Sequence, residues 1–479
     1  MPPSHPDGGS SRQGRRRPPR PAQPDSHYTG KRNPRPAPRP VEPGPAAAVD
    51  TIDVPSATTF AELGVPAPII EALARLGVVT PFPIQAATLR SSLSGRDVLG
   101  RGRTGSGKTV AFAAPTVAVL ASSGRPARSG APRALILVPT RELAAQVAAV
   151  VQPLAAAMGQ RVATIYGGVS QGPQVAALRR GVDIVVACPG RLEDLIGQRH
   201  CRLDAIEVCV LDEADHLADL GFLPVVKKLL DRTPPAGQRL LFSATLDGSI
   251  GALVRQYLRD PVTHSVDHLD APPPMLEHHA FTVEPGHKAA VVQELASGVE
   301  RSLLFTRTKH GARKLARQLA VAGVPAVDLH GNLSQAQRQR NLAAFADGSV
   351  RVLVATDIAA RGIHVDDIAL VVHVDPPSEH KAYLHRSGRT ARAGAGGVVV
   401  TVVTPAEEGG VRALVRQAGI RPTSARVAPG DPRTVALTGP AAPPRFVAVA
   451  PVAPRQPPGR PGRTGRPSGP PVRARRRPR

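Results

Sequence analysis

Gly102-Arg103-Thr104-Gly105-Ser106-Gly107-Lys108-Thr109 is the stretch that decides how the rest of the chain is read. It follows the short strand-like run Asp97–Leu99 and opens into a helical pattern. A glycine-rich loop in that setting turns backbone N–H groups and a lysine toward phosphates, and Thr109 offers a hydroxyl to Mg²⁺. Its complement lies downstream, where the apolar run Ile206–Leu211 ends in Asp212-Glu213-Ala214-Asp215. Asp212 supplies a second metal-directed oxygen and Glu213 a base for water. A glycine-rich turn or an acidic helix start is ordinary by itself. The two together, each after a buried strand, predict an α/β protein that hydrolyses a nucleoside triphosphate.

Working outward, short apolar runs alternate with helical patterns, as in parallel α/β architecture. Strands are predicted at Asp97–Leu99, Ala134–Val138, Ala163–Tyr166, Asp183–Ala187, Ile206–Leu211 and Leu240–Phe242. A second series covers Ser302–Phe305, Ala326–Leu329, Val350–Val354, Leu370–Val374 and Val398–Val403. Between the series lies Pro272-Pro273-Pro274, which can neither donate to a ladder nor continue a helix. Two domains are therefore expected, over 58–266 and 275–425, with a linker at 267–274. Most strands run into a polar cluster: Pro139-Thr140-Arg141-Glu142, Gly167-Gly168, Cys188-Pro189-Gly190-Arg191 and Ser243-Ala244-Thr245 in the first domain. The second has Thr306-Arg307, His330-Gly331, Ala355-Thr356-Asp357 and, one helix later, His385 to Arg392. Ligands of parallel sheets bind at the carboxyl ends of strands, so a cleft lined from both domains is expected.

The chain has 479 residues and a net charge of +24, which points toward a polyanionic partner. Much of the excess is terminal. Residues 1–50 carry nine Arg or Lys against four acids, and residues 421–479 carry thirteen Arg against Asp431 alone. With 52 Pro and 45 Gly in the chain, many near its ends, segments 1–57 and 426–479 are expected to be disordered basic tails. Phe446 is the one aromatic of the C-terminal tail, so electrostatic tethering is expected there rather than base stacking. Cys188, Cys201 and Cys209 have neither zinc nor disulfide spacing, and no signal peptide or 18-residue apolar run is present. A cytoplasmic monomer without membrane contact is the expectation.

From about residue 58 to 420 the chain resembles the DEAD-box ATP-dependent RNA helicases, on the motifs just quoted and in that family's order. Pro81-Phe82-Pro83-Ile84-Gln85 resembles its glutamine motif, and Gln335 with Arg338 its Gln-x-x-Arg element. Ala355 to Gly362 and His385-Arg386-Ser387-Gly388-Arg389-Thr390-Ala391-Arg392 resemble its fifth and sixth motifs. The resemblance implies two tandem RecA-like parallel-sheet domains, α/β in class, that bind ATP and Mg²⁺ and close on RNA. Gln85 and the upstream aromatic Phe60 would then read adenine, and Arg103, Thr104, Gly105, Ser106, Gly107, Lys108 and Thr109 would hold the phosphates. Thr109 and Asp212 would organise Mg²⁺, Glu213 would activate water, and Arg389 and Arg392 would reach the phosphoryl oxygens as planar forks. Asp215, Ser243, Thr245 and His385 would couple the domains. Thr140, Arg141, Gly168, Arg191, Thr306, Gln335, Arg338 and Thr356 would hold RNA by its backbone, with the 2′-hydroxyl distinguishing it from DNA.

The chain departs from that pattern at Val78, where the family places an aromatic, at Phe82 and Cys188, where it often has Thr, and at His364, where an Asp is usual. Loss of a stacking ring at Val78 implies about 1 kcal/mol less affinity for the base. Two other functions fit the residues: an RNA-annealing scaffold acting through the tails, and a DNA-directed motor of the same architecture.

Overall fold

The computed structural model describes residues 58–102, 105–246, 248–265, 276–360, 365, 367–391 and 396–445. The tail 1–57, the linker 267–274 and residues 446–479 of the C-terminal tail lie outside that set. Among the described residues the first seven strands are β1 (Val98–Arg101), β2 (Ala134–Leu137), β3 (Val162–Ile165), β4 (Ile184–Ala187), β5 (Val208–Leu211), β6 (Gln238–Ser243) and β7 (Val262–Ser265). They form one sheet in the order β3-β4-β2-β5-β6-β1-β7. The next seven are β8 (Leu276–Thr282), β9 (Arg301–Phe305), β10 (Ala326–Leu329), β11 (Val352–Ala355), β12 (Ile368–His373), β13 (Gly397–Val403) and β14 (Thr423–Arg426). Their order is β10-β11-β9-β12-β13-β8-β14, the same permutation seven strands later. The chain therefore builds one architecture twice.

Every strand pair in both sheets is parallel. Parallel strands need helical crossovers, which cover both faces and demand continuous apolar runs rather than alternation. β2 reads Ala-Leu-Ile-Leu with all four residues buried. Its Ala134 and Ile136 pack on one side of the sheet, and Leu135 and Leu137 on the other. The second sheet divides likewise, with Val352 and Val354 on one side and Leu353 and Ala355 on the other. Gly100 in β1 has a steric role, since a Cβ there would enter the ring of Phe242 on the neighbouring β6.

Three strands escape the hydropathy pattern, all at or beside a sheet edge. β7 is Val-Thr-His-Ser, β8 is Leu-Glu-His-His-Ala-Phe-Thr, and β14 is Thr-Ser-Ala-Arg with no large apolar residue. β14 holds its place by pairing with β8 alone, through Thr423 to Arg426. The expected start of the C-terminal tail at 426 is thereby corrected. Val427 is buried, Asp431 caps the helix Pro432–Thr438, and Leu437 packs on the second core. Glu294 accepts from the Gly430 N–H at 2.8 Å and from the Thr434 hydroxyl at 3.3 Å. Further on, the Ala442 and Arg445 N–H groups donate to Ser297 and Gly323 carbonyls. A few well-placed apolar and capping residues offset the chain entropy that composition alone would leave uncompensated.

This segment should contribute measurably to stability. Ending the chain at residue 426 removes Val427 and Leu437 from the core, a loss of about 2–3 kcal/mol by the burial of one such side chain. Denaturant unfolding should show a lower midpoint for the second domain. Gly298→Ala should do the same in the full-length chain, because its Cβ would lie 2.5 Å from the Thr438 carbonyl. An unchanged midpoint in both would mean that the segment rests on the domain without holding it.

Candidate active site and interdomain face

The phosphate loop closes between β1 and the helix Lys108–Ser123. Gly105 and Gly107 both take φ +88°, a left-handed setting that side chains disfavour. At Gly107 space also requires glycine, since a Cβ would lie 2.5 Å from Gln85 Nε2 and 2.8 Å from Phe82 Cδ2. Lys108 is buried and donates to the Gly102 carbonyl at 2.7 Å. Ser106, Gly107, Lys108 and Thr109 thus stand at one helix start, where N–H groups and the dipole favour an anion. Arg103 and Thr104 lie outside the described residues.

β5 delivers the carboxylates beside this loop. Asp212 is 3% exposed, and its Oδ1 accepts the Glu213 N–H at 3.0 Å. Burial pushes the Asp212 carboxyl up to about 7, while the nearby Lys108 ammonium pulls it down. The Asp212 carboxylate and the Thr109 hydroxyl are hard-oxygen donors of the kind Mg²⁺ takes with phosphates and water, so the residues fit the ion. Glu213 has φ +48° and precedes the helix Ala214–Asp219 in a left-handed conformation. Two residues later, the Asp215 carboxylate accepts from Thr245 N–H at 2.9 Å, Thr245 Oγ1 at 3.0 Å and His216 N–H at 2.9 Å. Ser243 Oγ accepts the Asp215 N–H at 3.2 Å and donates to the Thr245 carbonyl at 2.7 Å. Asp215, Ser243 and Thr245 are one network. His385 does not join it directly: its Nδ1 lies 3.5 Å from Asp219 Oδ2. Burial lowers the His385 imidazole's proton affinity, against the pull of Asp219 and Asp215.

From the second domain, Arg389 is 8% exposed and donates through Nε to the His385 carbonyl at 3.3 Å. Arg392 and His364 lie outside the described residues. Gln85 is fully buried, its Oε1 accepting from the Phe82 N–H and its Nε2 donating to the Gly107 carbonyl, each at 2.9 Å. An amide keeps one further lone pair and one further hydrogen, enough for a base edge. Phe60 is corrected. It is 2% exposed and packs in the first core with Leu63 and Leu73, so it has no face to give a nucleobase. Val78 rests half-buried against the same core, and the ring beside the loop is the half-exposed Phe82.

Residues expected to hold RNA gather at the ends of β2, β3 and β4. Thr140 caps the helix Arg141–Ala157 by accepting from Leu143 N–H at 3.2 Å. The Arg141 guanidinium lies against Gly168, whose φ is +78° and where any Cβ would collide with it. Arg191 donates to the Val169 carbonyl at 3.3 Å, fastening the same loop. Cys188, which opens the helix Pro189–Gly197, has its thiol pushed up to about 12 by burial, Glu142 adding to the effect and Arg141 opposing it. On the second domain, Thr306 Oγ1 donates to the Thr308 carbonyl, and the Thr356 carbonyl begins the turn Asp357–Ala360. Gln335 crosses between domains, accepting from Arg141 at 3.5 Å and donating to Glu142 at 3.4 Å. Arg338 is the second correction. Its guanidinium donates to Glu142 at 2.7 Å and to the His330 and Ala359 carbonyls, and the residue is 8% exposed, so it joins protein to protein.

A DEAD/DEAH box helicase family model matches residues 82–252, and a helicase conserved C-terminal domain model matches residues 287–394. The ATP-dependent RNA helicase RhlB of Pseudomonas syringae pv. tomato is 38% identical over 351 residues, 72% of this chain and 88% of that protein. The chain belongs to the DEAD-box helicase family. The DEAD-box ATP-dependent RNA helicase 30 of Arabidopsis thaliana is 39% identical over 375 residues, and there the match spans 77% of this chain but 63% of the relative. Among solved structures, S. cerevisiae Dbp5 bound to RNA and ADP BeF3 is 26% identical, with a TM-score of 0.65 over 77% of this chain and 96% of that one. The twin sheets are thus the tandem RecA-like domains of a DEAD-box helicase.

Within that family frame, four residues of this site were given no role from the sequence. Glu142 and Asp219 look like ordinary helix-surface acids until their partners on the other domain are seen. His216 follows the carboxylate box and contacts Glu213. Arg386 binds Asp357 through Nε at 2.5 Å and Nη2 at 2.7 Å, donates to the Asp375 carbonyl at 2.8 Å, and lies 5.0 Å over the Phe305 ring. A planar fork is needed for all of this at once, and lysine has none. Arg386→Lys should therefore lower the unfolding free energy of the second domain in urea by about 1.5–3 kcal/mol, on the scale of charge-assisted hydrogen bonds. Wild-type stability in that variant would show that the bidentate geometry is dispensable.

Proposed function

We propose that the chain is an RNA-stimulated ATPase that closes two domains on an RNA strand and separates short RNA duplexes. The observation that carries this reading is that the Lys108 loop and the Asp212–Glu213 pair follow strands of one sheet, while Arg389 stands beside His385, which meets Asp219 of the first domain. The family membership, and RNA and ADP BeF3 on the similar Dbp5 structure, support it.

Lys108 and the loop N–H groups hold the β- and γ-phosphates, and Gln85 meets the base edge. Thr109 and Asp212 hold Mg²⁺, which when bound neutralises charge on the phosphate oxygens. Glu213 takes a proton from water as its oxygen bonds to the γ-phosphorus and the bond to the β–γ bridging oxygen breaks. Arg389 and Arg392 bring guanidinium donors to the same oxygens from the second domain, which ties hydrolysis to closure. The Asp215–Thr245 network anchors the helix that follows Glu213, and His385 meets that helix at Asp219, so loss of the γ-phosphate is passed to the second domain along it. Arg141, Gly168 and Arg191 hold RNA on the first domain, and Thr306, Gln335 and Thr356 on the second, by backbone contacts that carry little sequence information. The tails add charge-driven RNA affinity. The three free cysteines suit a reducing cytosol, and we read the protein as a cytoplasmic monomer. Among the described residues no helix is long and apolar enough to cross a membrane.

Glu213→Gln keeps the shape of the site and removes the base. It should cut RNA-stimulated phosphate release by about 10²- to 10⁴-fold, the usual scale for a general base. Strand separation of a matched RNA duplex should fall with it, while any annealing by the tails persists. Undiminished hydrolysis would remove Glu213 from the mechanism. Stimulation by DNA equal to that by RNA would favour the DNA-directed motor.

A further inference from the structure

Glu213 reaches its site from a backbone conformation that L residues rarely adopt, and a glutamate side chain has three rotors of its own. Something must aim it. Three residues on, in the helix Ala214–Asp219, His216 places Nδ1 2.9 Å from Glu213 Oε2. The two side chains are 7% and 8% exposed, so neither is screened by water. An ionised carboxylate only accepts, so the hydrogen between them is carried on Nδ1. Nε2 has no hydrogen-bond partner among the described residues. The His216 N–H is held in turn by Asp215 Oδ1 at 2.9 Å, and Asp215 by Thr245. The bond to His216 is to its backbone N–H, so Asp215 anchors the start of the helix from which the ring reaches Glu213.

We propose that His216 is a positioning residue for ATP hydrolysis, holding the Glu213 carboxylate in the orientation in which it takes the proton from water. No proton passes to or from His216 in this step: the water oxygen bonds to the γ-phosphorus, ADP departs with the bridging oxygen, and the proton ends on Glu213. The imidazole acts only by donating a hydrogen bond from a ring with two rotors to a chain with three. This rests on the reading of Glu213 as the base.

The test is steady-state hydrolysis by the full-length protein with saturating single-stranded RNA. His216→Ala should lower kcat by about tenfold to a hundredfold, the scale of a misaligned catalytic group, with KM for ATP and RNA within about twofold of wild type. His216→Asn sets an amide N–H near the place of Nδ1 and should recover most of that loss, whereas His216→Gln, whose amide reaches the place of Nε2, should not. Thermal midpoints and RNA affinity with a non-hydrolysable ATP analogue should match wild type. Wild-type kcat in His216→Ala would overturn the proposal. So would equal kcat for the Asn and Gln variants, which decide the matter even where Ala fails to fold. Glu213→Gln, measured in parallel, separates the two claims. If it retains kcat, the reading of Glu213 fails and the positioning role with it. If it abolishes turnover while His216→Ala does not, only the role of His216 fails.

Discussion

One buried ion pair, Glu142 with Arg338 at 2.7 Å, fastens the strand ends of the first sheet to those of the second. Both side chains are under a tenth exposed, so neither charge can turn to water if the other leaves. Removing one partner of such a pair characteristically costs about 3–5 kcal/mol, because the survivor stays buried and uncompensated. Glu142 is anchored in the first turn of the helix after β2, and Arg338 in the first turn of the helix Gln335–Ala346. The pair therefore sets how the two domains meet. Arg141 and Gln335, its chain neighbours, are drawn together at the same place.

The repeated strand order gives that meeting its purpose. In each sheet the carboxyl ends carry the polar clusters, and the two halves specialise. The first keeps glycines at positive φ, a lysine and paired carboxylates, which we propose serve phosphate and metal. The second contributes arginines, with Arg386 committed to holding Asp357 and Arg389 placed beside His385. A reaction that needs both sets needs the domains together, which makes contact between them a condition of turnover.

Fold class was legible because parallel strands buried on both faces must be continuously apolar, as Ala134–Leu137 and Ile184–Ala187 are. β14 at the edge and β8 beside it were not, because strands there are specified by ladder pairing with a neighbour rather than by their own hydropathy. The helix Pro432–Thr438 was hidden in a segment whose Pro and Arg content reads as tail. Among site residues, neighbours in a contiguous loop need no fold to bring them together, as Lys108 with Thr109 and Asp212 with Glu213. Arg338, Glu142 and Phe60 could not be placed without it. An arginine in a helix reads as surface, and only the fold shows that it meets a buried acid on another domain. An aromatic reads as a platform, and only packing shows that Phe60 has no free face.

The central claim is that nucleotide and RNA act by joining the domains through Glu142 and Arg338. The direct measurement is the distance between two fluorescent labels, one on each domain, with single-stranded RNA and a non-hydrolysable ATP analogue. The wild-type chain should shift to a short-distance population when both ligands are present. Arg338→Ala should shift much less, and Glu142→Ala with Arg338→Ala together should lose no more than Arg338→Ala alone. A full shift in Arg338→Ala would contradict the account.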